Sequence, residues 1–265
     1  MKFDGCNALI TGASAGIGRE FARQLADGAQ TLVLVARREQ RLNELRDELR
    51  NRNPRSIVHA RVVDLCDKSQ IDNLIRWLEE NKTDIDLLIN NAGLGDYGSF
   101  ATSDPARDDR ITQVNIVALT SLTRRLLPQM VARKRGAILN VSSSAGFLPI
   151  PGMAVYAATK AYVNSFSEAL RAELSGTGVT VTALCPGPVH TEFGDVAKRP
   201  GGQPKTGPEF VYVSVNKTVR DALAAVEADR PLVIPGLAMK LGMLLVRVTP
   251  ISILRLTWRL MPQRG

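Results

Sequence analysis

Seven short apolar runs, each without alternating polar residues, recur along this chain with amphipathic stretches between them. That pattern constrains the fold most. A strand buried on one face alternates polar with apolar residues. A strand covered on both faces does not, and such strands belong to parallel sheets held between helices. The runs are "NALIT" (7–11), "QTLVLVAR" (30–37), "IVHARVVDL" (57–65), "IDLLINNAG" (85–93), "GAILNVSS" (136–143), "GVTVTALCPGPV" (178–189) and "PLVIP" (231–235). Among the intervening stretches, "REFARQLADG" (19–28) has helical periodicity and a glycine stop. "REQRLNELRDELRNRN" (38–53) puts Leu42, Leu45 and Leu49 on one stripe ahead of Pro54, and "KSQIDNLIRWLEENK" (68–82) is a third helix. A long helical stretch spans about 107–134, and a later one runs to about Ser175. The alternation predicts a single-domain, Rossmann-type, doubly wound α/β fold with helices on both faces of a parallel sheet.

A chain of 265 residues can bury such a core as one unit. No apolar run approaches the roughly 18 residues of a membrane span. The opening "MKFDGCNALITGAS" reads as a first strand running into glycines, not as a secretory leader. Cys6, Cys66 and Cys185 stand far apart with no CxxC, and the chain has only two histidines. This predicts reduced, buried thiols in a cytoplasmic protein, and neither a disulfide framework nor a metal site. The net charge of +8 fits a solvated basic face with a few arginines used on phosphates better than a nucleic-acid surface.

The turn "TGASAGIG" (11–18) places Gly12, Gly16 and Gly18 between the first strand and first helix. There a tight turn must bring backbone N–H groups and a helix N-terminus up to a pyrophosphate. The spacing is G-x-x-x-G-x-G, and Ser14 lies within it. Three glycines exceed what a plain strand–helix turn needs. The second strand ends "VARR", where an NAD site carries an acid for the adenosine ribose hydroxyls. Arg37 and Arg38 stand there instead, suited by charge and bidentate geometry to a 2′-phosphate, which points to NADP(H) ahead of NAD(H).

"VYAATKAY" (155–162) holds Tyr156 and Lys160 at i and i+4, on one helical face. By itself the pair is a ring packed on the core beside a solvated lysine. With a cofactor frame upstream it has chemistry: a tyrosine with a pKa near ~10 is a poor base at neutral pH, and a nearby ammonium favours its phenolate.

Taken in order, "TGASAGIG", "NNAG" (90–93), "VSS" (141–143), "YAATK" (156–160) and "PGPVHT" (186–191) resemble the short-chain dehydrogenases/reductases. The likeness covers the chain from about residue 5 to about 191. It implies hydride transfer between a nicotinamide and a carbonyl or alcohol, with Tyr156 as general acid/base. The family spacing sets the active-site serine at Ser143, with Ser142 and Ser144 structural; a one-residue slip would give Ser142. Lys160 would hold the nicotinamide ribose and link to water near Asn115, in "QVNIVA". A mid-helix asparagine needs a partner in any case. Further cofactor contacts carried over are Gly12, Ser14, Gly16, Ile17 and Gly18 in the turn, Asp64 and Leu65 at the adenine, and Asn91, Ala92 and Gly93 along the ribose. Pro186, Gly187, Val189 and Thr191 would pass the carboxamide and pyrophosphate. Asp64 also reads as a plain strand-end turn residue. His190 falls in a family segment that works without histidine and reads as loop or pocket wall, and His59 reads as packing.

Departures are local. Ala15 stands where many NADP enzymes of the family have a basic residue, so the phosphate expectation leans on Arg37 and Arg38. Residues 192–210, rich in Gly, Pro and Lys, match the family's substrate lid. The tail, 236–265, is apolar with Lys240, Arg247, Arg255 and Arg259 along it, and Pro250 should break it into two helices. Pocket cover or subunit contact, in a homodimer or homotetramer, is favoured over docking on an anionic membrane, and a lipid-like substrate would suit either. Two other functions share these motifs. A non-catalytic NADP sensor would not need Asn115, Ser143, Tyr156 and Lys160 together. A sugar-nucleotide epimerase or dehydratase usually carries a longer C-terminal domain.

Overall fold

The computed structural model describes residues 2–199 and 208–260. Within them lie seven parallel strands: β1 (Asn7–Thr11), β2 (Thr31–Ala36), β3 (Ile57–Val62), β4 (Leu87–Asn90), β5 (Gly136–Val141), β6 (Val179–Leu184) and β7 (Leu232–Val233). They form one sheet in the order β3-β2-β1-β4-β5-β6-β7. The helices are α1 (Gly16–Leu25), α2 (Glu39–Arg52), α3 (Lys68–Glu80), α4 (Pro105–Thr112), α5 (Leu119–Ala132), α6 (Ala154–Glu173), α7 (Phe193–Ala197), α8 (Val215–Glu227), α9 (Leu237–Val248) and α10 (Ile251–Leu260).

The continuous apolar runs serve two layers at once. Ala8 and Ile10 of β1, with Leu32 and Leu34 of β2, pack on Phe21, Leu42, Leu45, Leu49 and Val219 from α1, α2 and α8. Leu9, Val33 and Val35 point the other way, onto Leu74, Leu122 and Leu170 from α3, α5 and α6. Each buried Leu, Ile, Val or Phe among them contributes about 1.5–3 kcal/mol. β3 departs from the expected two-sided burial because it is the sheet edge, where Ile57 and Val62 are exposed.

Strands three to six end earlier than their apolar runs. The residues that follow leave the sheet and turn toward its carboxyl edge. The strand order reverses between β1 and β4, so a crevice opens where Thr11 and Asn90 end. A buried polar ladder fixes that edge: Asn90 Nδ2 donates to Asn140 Oδ1 at 2.9 Å and Thr123 Oγ1 at 3.1 Å, and Asn140 Nδ2 donates to Ser167 Oγ at 2.9 Å.

The first helix starts earlier than expected. α1 begins at Gly16, so Gly16 and Gly18 belong to its first turn and not to the connection before it. The expected long helical stretch is continuous from Pro105 to Ala132, with a π-helical turn at Gln113–Ala118 set between α4 and α5.

Pro250 separates α9 from α10, as the tail's sequence predicts. Met239 of α9 backs Gly187 so closely that a Cβ there would stand 2.6 Å from its Cε, and the Arg247 guanidinium lies 5.9 Å from the Phe147 ring centroid. The opposite face exposes Leu237, Leu241, Leu244, Leu245 and Val248. Residues 261–265 of the tail and 200–207 of the expected lid lie outside the described residues. No helix among the described residues is long and apolar enough to cross a membrane. All three thiols are free; Cys6 and Cys185 are buried, but Cys66 is only half-buried, at the carboxyl edge after β3.

Candidate active site

The carboxyl ends of β1, β4, β5 and β6 open onto one cavity of about 760 Å³. It is lined by Gly12, Ser14, Gly16, Ile17, Arg37, Arg38, Asp64, Leu65, Asn91, Ala92, Gly93, Ser143, Tyr156, Lys160, Pro186, Gly187, Val189 and Thr191. Of the residues the sequence singles out, Gly18 and Asn115 do not line it and act from behind its wall.

Gly12 takes a left-handed backbone (φ +68°), and a Cβ on it would stand 2.8 Å from Asn91 Nδ2. A Cβ on Gly18 would stand 2.4 Å from both Gly12 O and Asn91 Nδ2. Glycine at both positions lets α1 descend onto Asn91. That side chain donates to Thr11 O at 2.8 Å, while Thr11 Oγ1 accepts from the N–H groups of Asn91 (2.9 Å) and Ala92 (3.0 Å). The turns after β1 and β4 are thereby locked together. Ala15 precedes α1 and offers no side-chain cap, so first-turn N–H groups remain available to an anion. Those donors, the glycine cradle and the arginines fit a dinucleotide.

At the far end, Arg37 lines the cavity with no ion-pair partner among the described residues. Arg38 Nε donates to Ser14 Oγ at 3.2 Å, and its Nη1 donates to Glu192 Oε2 at 2.8 Å. Arg41, which sequence reasoning missed, donates from Nη1 to Glu192 Oε1 at 2.6 Å. Asp64 combines both of its readings: it lines the cavity, and its Oδ1 accepts from Cys66 N at 3.0 Å to shape the strand-end turn.

Tyr156 and Lys160 are both buried on α6. Burial pushes the Tyr156 phenol up to about 12, against the opposing pull of its hydrogen bond to Ser143. Burial also draws the Lys160 ammonium down to about 8, with Cys185 acting the other way. The expected depression of Tyr156 by Lys160 is therefore corrected. Lys160 Nζ donates to Val141 O at 2.9 Å and lies 5.7 Å from the Tyr156 ring centroid, so loss of water dominates both groups. Tyr156 is protonated at neutral pH and equipped to donate.

The neighbouring serines separate by role. Ser142 is buried and donates from Oγ to Lys160 O at 3.0 Å, joining β5 to α6. Ser143 faces Tyr156, and its Oγ also accepts from Ala145 N at 3.1 Å. Ser143 thereby also caps the short turn that begins at Ser144.

Asn115 sits in the π-helical turn, fully buried. Its Oδ1 accepts from Leu94 N at 2.9 Å, and its Nδ2 donates to Leu94 O at 3.0 Å and Thr159 Oγ1 at 2.9 Å. It ties the segment after β4 to α6, and π turns often mark such sites. A Cβ on Gly93 would meet Lys160 Nζ at 3.4 Å and Asn115 Oδ1 at 3.5 Å, so glycine leaves these two groups room to approach.

His190 lines the cavity mouth, stacked 4.2 Å from the Tyr212 ring, and His59 packs edge-on to Trp77. Sequence reasoning missed α7 and its clamp. Phe193 lies against Tyr156 with ring centroids 5.5 Å apart. Arg107 donates to Val196 O at 2.7 Å and pairs with buried Asp96 at 3.0 Å, and Arg199 Nε reaches the same carboxylate at 2.9 Å. Arg107 and Val196, and Asp96 and Arg199, stand about ninety to a hundred residues apart and leave no local signal.

Fold and cavity together define an α/β nucleotide-binding enzyme. The family model described as short chain dehydrogenase matches residues 6–200. Sulfoacetaldehyde reductase 2 of Chromohalobacter salexigens is 41% identical over 192 residues, 70% of this chain and 73% of that protein. NADP-dependent 3-hydroxy acid dehydrogenase YdfG of Salmonella typhi is 38% identical over 205 residues, 76% of this chain and 80% of that protein. A short-chain dehydrogenase from Sphingobium yanoikuyae, solved in complex with NADPH, superposes with a TM-score of 0.81 at 32% identity, covering 98% of each chain. The chain belongs to the short-chain dehydrogenase/reductase family, and it is an NAD(P)-dependent oxidoreductase acting between carbonyl and alcohol.

Proposed function

We propose that this enzyme interconverts a small-molecule carbonyl and a secondary alcohol with NADP(H), using Tyr156 as general acid/base. One observation carries the reading. Ser143, Tyr156 and Lys160 meet in a cavity that also receives an open glycine turn and Arg37. When bound, the nicotinamide supplies or accepts the hydride. The chain's own groups do the rest. Ser143 Oγ holds the substrate oxygen and steadies its developing charge. Tyr156, protonated at neutral pH, gives that oxygen its proton. Lys160 holds the nicotinamide ribose and keeps positive charge near the phenol. Asn115 is a positioning residue, and one lone pair of its Oδ1 remains for a relay water.

NADP(H) is favoured by the missing acid after β2 and by Arg37 and Arg38, and the names of the YdfG relative and the NADPH complex agree with it. Of the expected lid, the described residues 192–199 carry α7, whose Phe193 lies against Tyr156, and we assign this part to covering the substrate. α9 backs the cavity wall where Met239 meets Gly187 but does not itself line the cavity, so of the tail's expected roles we retain subunit contact in a cytoplasmic homo-oligomer. Titration of both cofactors tests the assignment. NADPH should bind more tightly than NADH, and Arg37→Ala should remove most of the difference. A charge-assisted contact is worth about 1.5–3 kcal/mol, roughly tenfold to hundredfold in affinity. Equal binding by the unaltered protein would refute it.

A further inference from the structure

The 2′-phosphate reading leaves one residue unexplained. Glu192 lines the cavity beside Arg38 and places its carboxylate between Arg38 and Arg41, the latter just outside the lining. Its Oε2 accepts from Arg38 Nη1 at 2.8 Å, and Arg41 Nη1 donates to Oε1 at 2.6 Å and Oε2 at 2.8 Å. Arg38 is steadied from its other side by Ser14. A bridging carboxylate on two guanidinium groups occupies the geometry that a phosphate would take. Two anions cannot share it. Glu192 also immediately precedes α7, whose first residue, Phe193, packs on Tyr156. α7 is thus tethered at one end to the arginines and at the other, through Val196 O, to Arg107.

We propose that Glu192 is an internal competitor for the cofactor's 2′-phosphate, and that its displacement releases the start of α7 from the arginines. Glu192 thereby becomes a determinant of cofactor affinity and couples the adenosine end of the cavity to the segment over Tyr156. The inference rests on the NADP(H) reading. Both ion pairs are substantially exposed, each worth at most about fivefold in an equilibrium. A dianionic phosphate can displace them, and NADH brings no such group.

Two measurements test this. Cofactor titration of Glu192→Gln should show NADPH binding about three- to tenfold tighter than in the unaltered protein, with NADH changed less than about twofold. Unchanged or weaker NADPH binding by the variant, while the unaltered protein still prefers NADPH, would overturn this inference and leave the cofactor reading intact. Equal NADPH and NADH binding by the unaltered protein would overturn both. Adenosine 2′,5′-bisphosphate carries the phosphate without the nicotinamide. It should raise hydrogen exchange of the 193–197 amides, whereas AMP should not. No difference between the two nucleotides would show that Glu192 is not the tether.

Discussion

Ser142 and Ser143 show how adjacent residues of one kind divide at a strand end. The first spends its hydroxyl on the Lys160 carbonyl, the second faces Tyr156. Ser143→Ala should therefore cripple turnover while leaving the fold intact. Ser142→Ala should lower stability by about 0.5–1.5 kcal/mol, the worth of one hydrogen bond, with much milder kinetic loss. Steady-state kinetics beside thermal melts would show it, and the reverse ranking would move the active serine to 142. The pH profile follows from the two buried groups. Tyr156, raised to about 12, stays protonated across the working range, whereas Lys160, lowered to about 8, is cationic below that value and neutral above it. The rate of carbonyl reduction should thus fall as pH rises through about 8. A profile flat to about pH 10 would show that the lysine charge is not needed. Helical spacing made the tyrosine and lysine legible in sequence, and the resemblance to the family picked out the serine. The direction of their pKa shifts was not, because burial belongs to the assembled layers and not to neighbours along the chain.

At the scale of elements, apolar runs located every strand, since a residue pair facing opposite layers must be apolar at both positions. They overran the ends at Asn90, Val141 and Leu184 because cavity-lining residues are also apolar or small. The glycine turn shows what a motif leaves unsaid. Gly18 looked like a phosphate contact, yet it is the point where α1 touches the β1 turn and Asn91. Gly18→Ala puts a methyl against backbone, so it should cost about 1–3 kcal/mol and weaken binding of either cofactor, measured by melts and titration. A variant of unchanged stability would mean that the turn yields. The Asn90–Asn140–Ser167 ladder and the Asp96–Arg107–Arg199 clamp left no trace in periodicity, because a polar residue gains meaning there only from a distant partner. Asn140→Leu should destabilise by about 1–3 kcal/mol, because Asn90 Nδ2 and Ser167 Oγ each lose a buried partner and keep only Thr123 Oγ1 and Val163 O.

Among the described residues, two apolar layers are buried around the sheet and a third apolar surface is exposed on α9, with Leu241, Leu244 and Leu245 at its centre. Light scattering should find a dimer or tetramer, and Leu244→Glu should shift it toward monomer with little change in melting. Anionic vesicles should not sediment the unaltered protein at physiological salt; salt-sensitive co-sedimentation would move the tail's role to lipid instead. The chemistry itself is tested most directly by mixing the purified protein with NADPH and a panel of aldehydes, ketones and 3-oxo acids while following NADPH absorbance, with Tyr156→Phe in parallel. We expect carbonyl-dependent loss of NADPH by the unaltered protein and almost none by the variant, which should still bind NADPH because only the phenol oxygen is missing. Retention of more than about a tenth of the rate by Tyr156→Phe would contradict Tyr156 as the proton donor.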